Sequence, residues 1–115
     1  MRAARVYEAP QPGEGLRVLV DRLWPRGIRK EDPRVGRWCQ EVAPSTELRH
    51  WYDHDPGKFD EFSARYRDEL AHGAAAEALE ELHALAKQGP LTLVTATKDL
   101  NLSQAFVLTR VLEET

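Results

Sequence analysis

The chain is predicted to be an α/β protein, a small, mostly parallel sheet of three or four strands flanked by about five helices. Three observations carry that prediction. Two short apolar runs, Leu16 to Val20 and Leu91 to Ala96, have the length and residue types of buried strands. Between them lie three or four segments with helical apolar spacing, so a crossover joins the two strands and they run parallel. At 115 residues, the chain is expected to form one domain over 1–115 with a single core, too short for separate cofactor and substrate domains.

In order, Ala3 to Glu8 reads as a first strand, and Ala9 to Gly15, with two prolines and two glycines, as the loop after it. Leu16 to Arg22 is the second strand. Asp32 before Pro33 has the pattern of a helix start, and Val35, Trp38, Cys39 and Val42 recur at i, i+3, i+4 and i+7, which predicts a helix ending before Pro44. Ser45 is the next N-cap, with Glu47 in the first turn and Leu48 and Trp51 or Tyr52 on the apolar side. Asp55 with Pro56 repeats the start signal, and Phe59, Phe62, Tyr66 and Leu70 form one stripe down to Gly73. Leu79, Leu82, Leu85 and Ala86 mark a further helix that stops at Gly89 and Pro90. Leu91 to Ala96 is the third strand, and Asn101 with Gln104 resembles a capping box for the last helix.

Net charge is −3, unevenly distributed. Residues 1–50 hold ten Lys/Arg against seven Asp/Glu, whereas residues 51–115 hold six against twelve. The basic half contains Arg17, Arg22, Arg26, Arg29, Lys30, Arg34 and Arg37, which together predict a local positive field. An acidic protein overall is nevertheless a poor general binder of nucleic acid, because sequence-independent phosphate affinity scales with the cations presented. There is no apolar stretch of signal-peptide or membrane-span length, which predicts a cytoplasmic protein with no membrane attachment. The single cysteine, Cys39, excludes an internal disulfide and any multi-cysteine metal site, and is expected to be a buried, unreactive thiol.

The run Val20 to Gly27 carries the strongest chemical signal. A strand end usually passes into small polar residues or glycine, whereas this one passes into Arg22, Trp24, Pro25 and Arg26. Arginine forks favour planar oxyanions, so the motif predicts a pocket for a small anion. In a parallel sheet the second and third strands bring their carboxyl ends to one edge, the place where open α/β sheets bind ligands. That edge collects Asp21, Arg22 and Arg26 from one strand and Thr95, Thr97, Lys98 and Asp99 from the other.

Neither strand is followed by a glycine-rich phosphate loop, so dinucleotide binding of the Rossmann type and P-loop hydrolysis are disfavoured. Ligand-binding candidates are Arg22, Trp24, Arg26, Ser45, Arg49, Lys98 and Asp99. Candidates for proton transfer are Asp21, beside Arg22, and His54 in the run Trp51 to Asp55. Each has a plainer reading: Asp21 as an ion-pair partner, Ser45 as a helix cap, Trp24 as core. The neighbours of His54 are consecutive in sequence and cannot all face one ion, so no metal is expected, and nothing calls for a cofactor. His50, His72 and His83 are assigned to surface or packing roles.

These residues resemble the YeaO-like family of small bacterial proteins, a domain of unknown function (DUF488), over nearly the whole length. The resemblance rests on Val20 to Gly27 (VDRLWPRG), on Ala43 to Trp51 (APSTELRHW) with His54, Asp55, Phe59, Phe62, Tyr66, Glu69 and Leu70, and on the Leu91 to Val94 strand with Lys98, Asp99, Ala105 and Leu108. It implies an α/β fold and motif positions at Asp21, Arg22, Trp24, Pro25, Arg26, Ser45, Arg49, His54, Asp55, Lys98 and Asp99, without implying an activity. One departure stands out. Members tend to carry a His-Asn pair after the Lys-Asp step, where this chain has Leu102 and Ser103. No catalytic role is therefore given to Asn101 or Ser103.

The leading expectation is an anion pocket, for a phosphate-bearing metabolite or nucleotide, at the strand carboxyl ends. It would serve binding alone, or a transfer or hydrolysis with Asp21 or His54 as proton acceptor. On this reading Arg22→Ala weakens binding by about 1.5–3 kcal/mol and leaves the fold intact. Ranked second is a closed structural network, Asp21 and Asp99 satisfying Arg22 and Lys98, in a module whose partner is another protein. Third is a nucleic-acid accessory protein that stacks bases on Trp24 or Trp51.

Overall fold

The computed structural model describes residues 1–114. Four strands, β1 (Arg2–Arg5), β2 (Leu16–Leu19), β3 (Arg37–Trp38) and β4 (Leu91–Thr95), form one sheet in the order β1-β4-β2-β3, every neighbouring pair parallel. Four α-helices follow β3 in sequence or close the chain: α1 (Thr46–Tyr52), α2 (Phe59–Glu69), α3 (Gly73–Gln88) and α4 (Gln104–Glu113), with three single 3₁₀ turns between elements. The α/β class and the parallel pairing of the two apolar strands are as the sequence implies. Hydrogen bonding along β2 continues one residue past the strand, where the Val20 amide donates to the Val94 carbonyl at 3.0 Å.

The two faces of the sheet are covered differently. Val18, Val20, Leu91 and Leu93 point to the helical side, where Leu48, Tyr52, Phe62, Tyr66, Leu82, Ala105 and Leu108 meet them in the larger core. The aromatic stripe of α2 packs there in series, with Tyr52 on Phe62 at 4.1 Å between centroids and Phe62 on Tyr66 at 5.8 Å. On the opposite face Leu19, Val94 and Val6 are covered by irregular chain that supplies Ile28, Val35 and the half-buried Trp24. No helix among the described residues is long and apolar enough to cross a membrane.

The helix predicted from Asp32 to Val42 is not formed, which leaves four α-helices where about five were expected. Its start signal is a turn: the Asp32 carboxylate accepts from the Arg34 amide at 2.9 Å and from the Arg34 guanidinium, and that contact holds the Asp32 carboxyl down at about 2. Arg37 and Trp38 then pair with Val18 and Leu19 as an edge strand. Gly36 explains the outcome. A Cβ there would lie 2.8 Å from the Arg17 carbonyl, so only glycine lets this segment lie flat against β2. Val35 goes to the irregular face and Val42 to the helical one, which is two different cores and not one stripe. Cys39 is half-buried just beyond β3, where burial pushes its thiol up.

Smaller differences concern ends. β1 stops at Arg5 and turns through Val6 to Glu8, and β2 stops at Leu19. Ser45 caps α1 as expected, its Oγ accepting from the Leu48 amide at 3.1 Å. Asp55 and Pro56 open a single 3₁₀ turn ahead of α2. Ser103 caps α4 in place of Asn101, accepting from the Phe106 amide at 3.2 Å, and this releases the Gln104 side chain for another partner.

Opposite the carboxyl edge, Arg17 and Glu14 are buried together, 3 % and 4 % exposed. Nη1 of Arg17 donates to both Glu14 oxygens, while Nε and Nη2 reach the carbonyls of Arg34, Arg5 and Glu8. Glu14 also accepts from the Gln11 amide at 2.7 Å. The pair thus ties the β1–β2 loop to the segment before β3, and Arg17 adds nothing to a surface field.

Candidate functional site

Asp21 and Arg22 are adjacent in sequence but diverge in space, because successive side chains of extended backbone point opposite ways. Asp21 turns toward β4 and α4. Its carboxylate accepts from Thr95 Oγ1 at 2.6 Å, from the Ala96 amide at 2.7 Å and from the Gln104 side-chain amide. Arg22 turns toward the loop that enters α1, where Nη2 donates to the Ala43 carbonyl at 2.9 Å and Nε to the Pro44 carbonyl at 3.2 Å. Among the described residues neither Asp21 with Arg22 nor Asp99 with Lys98 forms an ion pair.

A cleft of about 680 Å³ opens at this edge. The turn after β2 contributes Asp21, Arg22, Leu23, Trp24, Pro25 and Arg26, and α1 with its C-terminal corner contributes Arg49, His50, Tyr52, Asp53 and His54. Tyr7, Ala96, Thr97, Leu102 and Gln104 also line it. The WPRG turn is held in place by its own packing. Trp24 donates from its indole N–H to the Ile28 carbonyl at 2.6 Å and meets Trp38 edge to face at 5.3 Å, and Gly27 takes φ +76° to turn the chain back.

The corner after α1 is strained. Asp53 and His54 are consecutive left-handed residues, φ 45° and 56°, a conformation that costs an L-residue on the order of 1–2 kcal/mol. Such costs concentrate where surrounding structure imposes a geometry that function uses. Here the corner brings His54 back onto the cleft wall beside Asp53.

The arginines of the basic half are unevenly neutralised. Arg34 and Arg37 pair with Asp32 and Glu81, as Arg17 does with Glu14. Arg22, Arg26 and Arg49 make no ion pair among the described residues, and Arg26 and Arg49 donate no side-chain hydrogen bond there. Burial pushes the Asp21 carboxyl above the ordinary aspartate range, against the opposing pull of its hydrogen bonds and of the Arg49 charge. The folded state therefore holds this proton more tightly than the unfolded chain, so the stability Asp21 contributes is present in acid and is lost as pH rises through its raised pKa. Carbon-detected NMR titration of the Asp21 carboxyl is expected to show a midpoint above the ordinary aspartate value, and Arg49→Ala is expected to move it higher. An ordinary or lowered midpoint would contradict that burial.

The cleft therefore gathers Asp21, Arg22, Trp24, Arg26, Arg49 and His54 of the predicted site. Three residues lie elsewhere. Ser45 is held on the α1–α2 side, its amide and Oγ both donating to Glu69. Asp99 caps a 3₁₀ turn by accepting from the Asn101 amide, and Lys98 is exposed outside the cleft lining. Tyr7, His50, Asp53 and Gln104 line the cleft without having been singled out for it. Only Gln104 carried a readable signal, misassigned to helix capping. Among the described residues no cluster of three or more His, Cys, Asp or Glu side chains could hold a metal ion.

Fold and site together define a small parallel α/β protein with an arginine-lined cleft at the carboxyl edge of its sheet. Residues 1–115 match DUF488-N3i, described as the inactive DUF488-N3 subclade, and the chain belongs to that family. It is 55 % identical over 112 residues to the uncharacterized protein Rv3073c of Mycobacterium tuberculosis, covering 97 % of this chain and 92 % of that one. The uncharacterized protein Mb3100c of Mycobacterium bovis is similar to the same extent. Identity to the uncharacterized protein YeaO of Escherichia coli is 38 % over 109 residues, 94 % of this chain and 92 % of that one. No solved structure matches the chain.

Proposed function

We propose that this protein binds a small phosphate-bearing ligand in the cleft at the carboxyl edge and does so without chemical turnover. The observation that carries the reading is the convergence of Arg22, Arg26 and Arg49, from two separate parts of the chain, in one cleft with no carboxylate paired to any of them among the described residues. Six of the nine other arginines, Arg2, Arg17, Arg34, Arg37, Arg65 and Arg67, do pair with a carboxylate. Three arginines without an ion-pair partner among the described residues, gathered in a concave, half-apolar setting, favour an anion supplied from outside.

Binding without reaction is favoured by the state of the candidate catalytic groups. The Asp21 carboxylate is engaged by three donors that tie β2, β4 and α4 together, which makes it a strut of the cleft floor with its oxygens already committed. The family description as inactive agrees with this.

The side chains of Arg26 and Arg49 are exposed and hold no hydrogen bond among the described residues, so they give the cleaner test. A melting-temperature screen of phosphate, sulfate, sugar phosphates and nucleotides, followed by calorimetry on the hits, is expected to find a ligand. Arg26→Ala and Arg49→Ala should each weaken it roughly 10- to 100-fold with little change in Tm, the usual span for a charge-assisted contact. Absence of any anion-dependent stabilisation of the wild type would overturn the proposal.

A further inference from the structure

Resting on the phosphate-site reading, we infer that the ligand is a nucleotide, its phosphate among the arginines and its base stacked on Tyr7. A bare phosphate would fill only a corner of a cleft of about 680 Å³, a volume in the range of sites that enclose whole small molecules. The remaining wall must therefore meet something larger and less charged.

Tyr7 has the properties of a stacking platform. Its hydroxyl donates to the Arg26 carbonyl at 3.1 Å, which ties the ring to a turn nineteen residues away. The Arg5 guanidinium lies 5.6 Å from the ring centroid and covers one face. Tyr7 is nonetheless 37 % exposed and lines the cleft, which leaves surface there for a planar group. A cation behind an aromatic ring and a flat heterocycle in front is an arrangement that suits every nucleobase, because each presents a π-face. Leu23, 65 % exposed and also in the lining, adds apolar surface next to Trp24.

The geometry also explains why Tyr7 and Arg26 belong to one device. The side chain of Arg26 is free to meet a phosphate, while its backbone carbonyl orients the platform that meets the base. One turn thereby sets the distance between the two ends of the ligand.

Calorimetry with inorganic phosphate, ribose 5-phosphate, and AMP, GMP, CMP and UMP tests this directly. The best-bound nucleotide is expected to bind about tenfold or more tightly than ribose 5-phosphate, the size of one base–aromatic stack. Tyr7→Ala should lower nucleotide affinity by a much larger factor than ribose 5-phosphate affinity, and so remove most of that advantage, whereas Tyr7→Phe should keep most of it. If ribose 5-phosphate binds the wild type as well as every nucleotide does, the base site is refuted and the phosphate site stands. If none of the six binds, the phosphate-site reading fails and this inference falls with it.

Discussion

Glu14→Ala lowers the stability of the folded chain by about 3–5 kcal/mol, the cost of leaving a buried charge without its partner. Arg17 would remain enclosed, still donating to three backbone carbonyls but with no anion to balance it. Arg17→Met should cost as much for a second reason, since it strands both the Glu14 carboxylate and those carbonyls. Chemical denaturation read by circular dichroism measures the loss, which corresponds to a fall in Tm of about 10 °C or more. The double variant Glu14→Ala/Arg17→Met should lose much less than the two single losses added together, because each change removes the charge that the other exposes. It should still fall short of the wild type, as no apolar residue can satisfy the carbonyls of Arg5, Glu8 and Arg34. Single losses below about 1 kcal/mol would mean that water reaches the pair in solution.

Arg22→Ala, by contrast with Arg26→Ala and Arg49→Ala, is expected to damage stability and binding together. Nε and Nη2 hold the carbonyls of Pro44 and Ala43, both in buried residues, and the next residue, Ser45, caps α1. Losing those two donors should cost about 2–3 kcal/mol, with the entry into α1 loosened. The expectation that this substitution leaves the fold intact is thus corrected by where the guanidinium points. Nη1 alone has no partner among the described residues and remains for a ligand. Arg22→Lys should therefore bind phosphate ligands more weakly than the wild type even where stability is partly restored, since an ammonium cannot span two carbonyls and an anion in one plane. A fully stable Arg22→Ala with undiminished ligand affinity would remove this residue from both roles.

Much of the scaffold was legible because it rests on local signals. The apolar runs of β2 and β4, the Ser45 cap and the stripe from Phe59 to Leu70 depend on residues within a few positions of one another. The strand β3 was not, since two residues carry no periodicity, and the spacing of Val35, Trp38, Cys39 and Val42 imitates a helix face while serving two cores. What mattered there was the fit of Gly36 against β2, a property of neighbours nineteen and twenty residues away. The site divides in the same manner. Arg22, Trp24 and Arg26 announced themselves by residue type at a strand end, and parallel pairing correctly placed Thr97 near them. Lys98 and Asp99 follow in sequence, but the chain turns away after Thr97 and carries them off the cleft. Tyr7 enters only through a loop closed by the buried Arg17–Glu14 pair, and Gln104 only because Ser103 took over the cap.

The indole arrangement gives the molecule a native spectroscopic gauge. Trp24 and Trp38 touch edge to face, and each donates to a carbonyl at or beside the turn that lines the cleft, at Ile28 and Asp21. Trp51 sits apart between Lys58 and Arg65. Replacing Trp51 with phenylalanine leaves only the coupled indole couple, whose near-ultraviolet dichroism depends on the angle between the rings. A ligand that shifts this turn would thus report its own arrival optically, with no dye and no label.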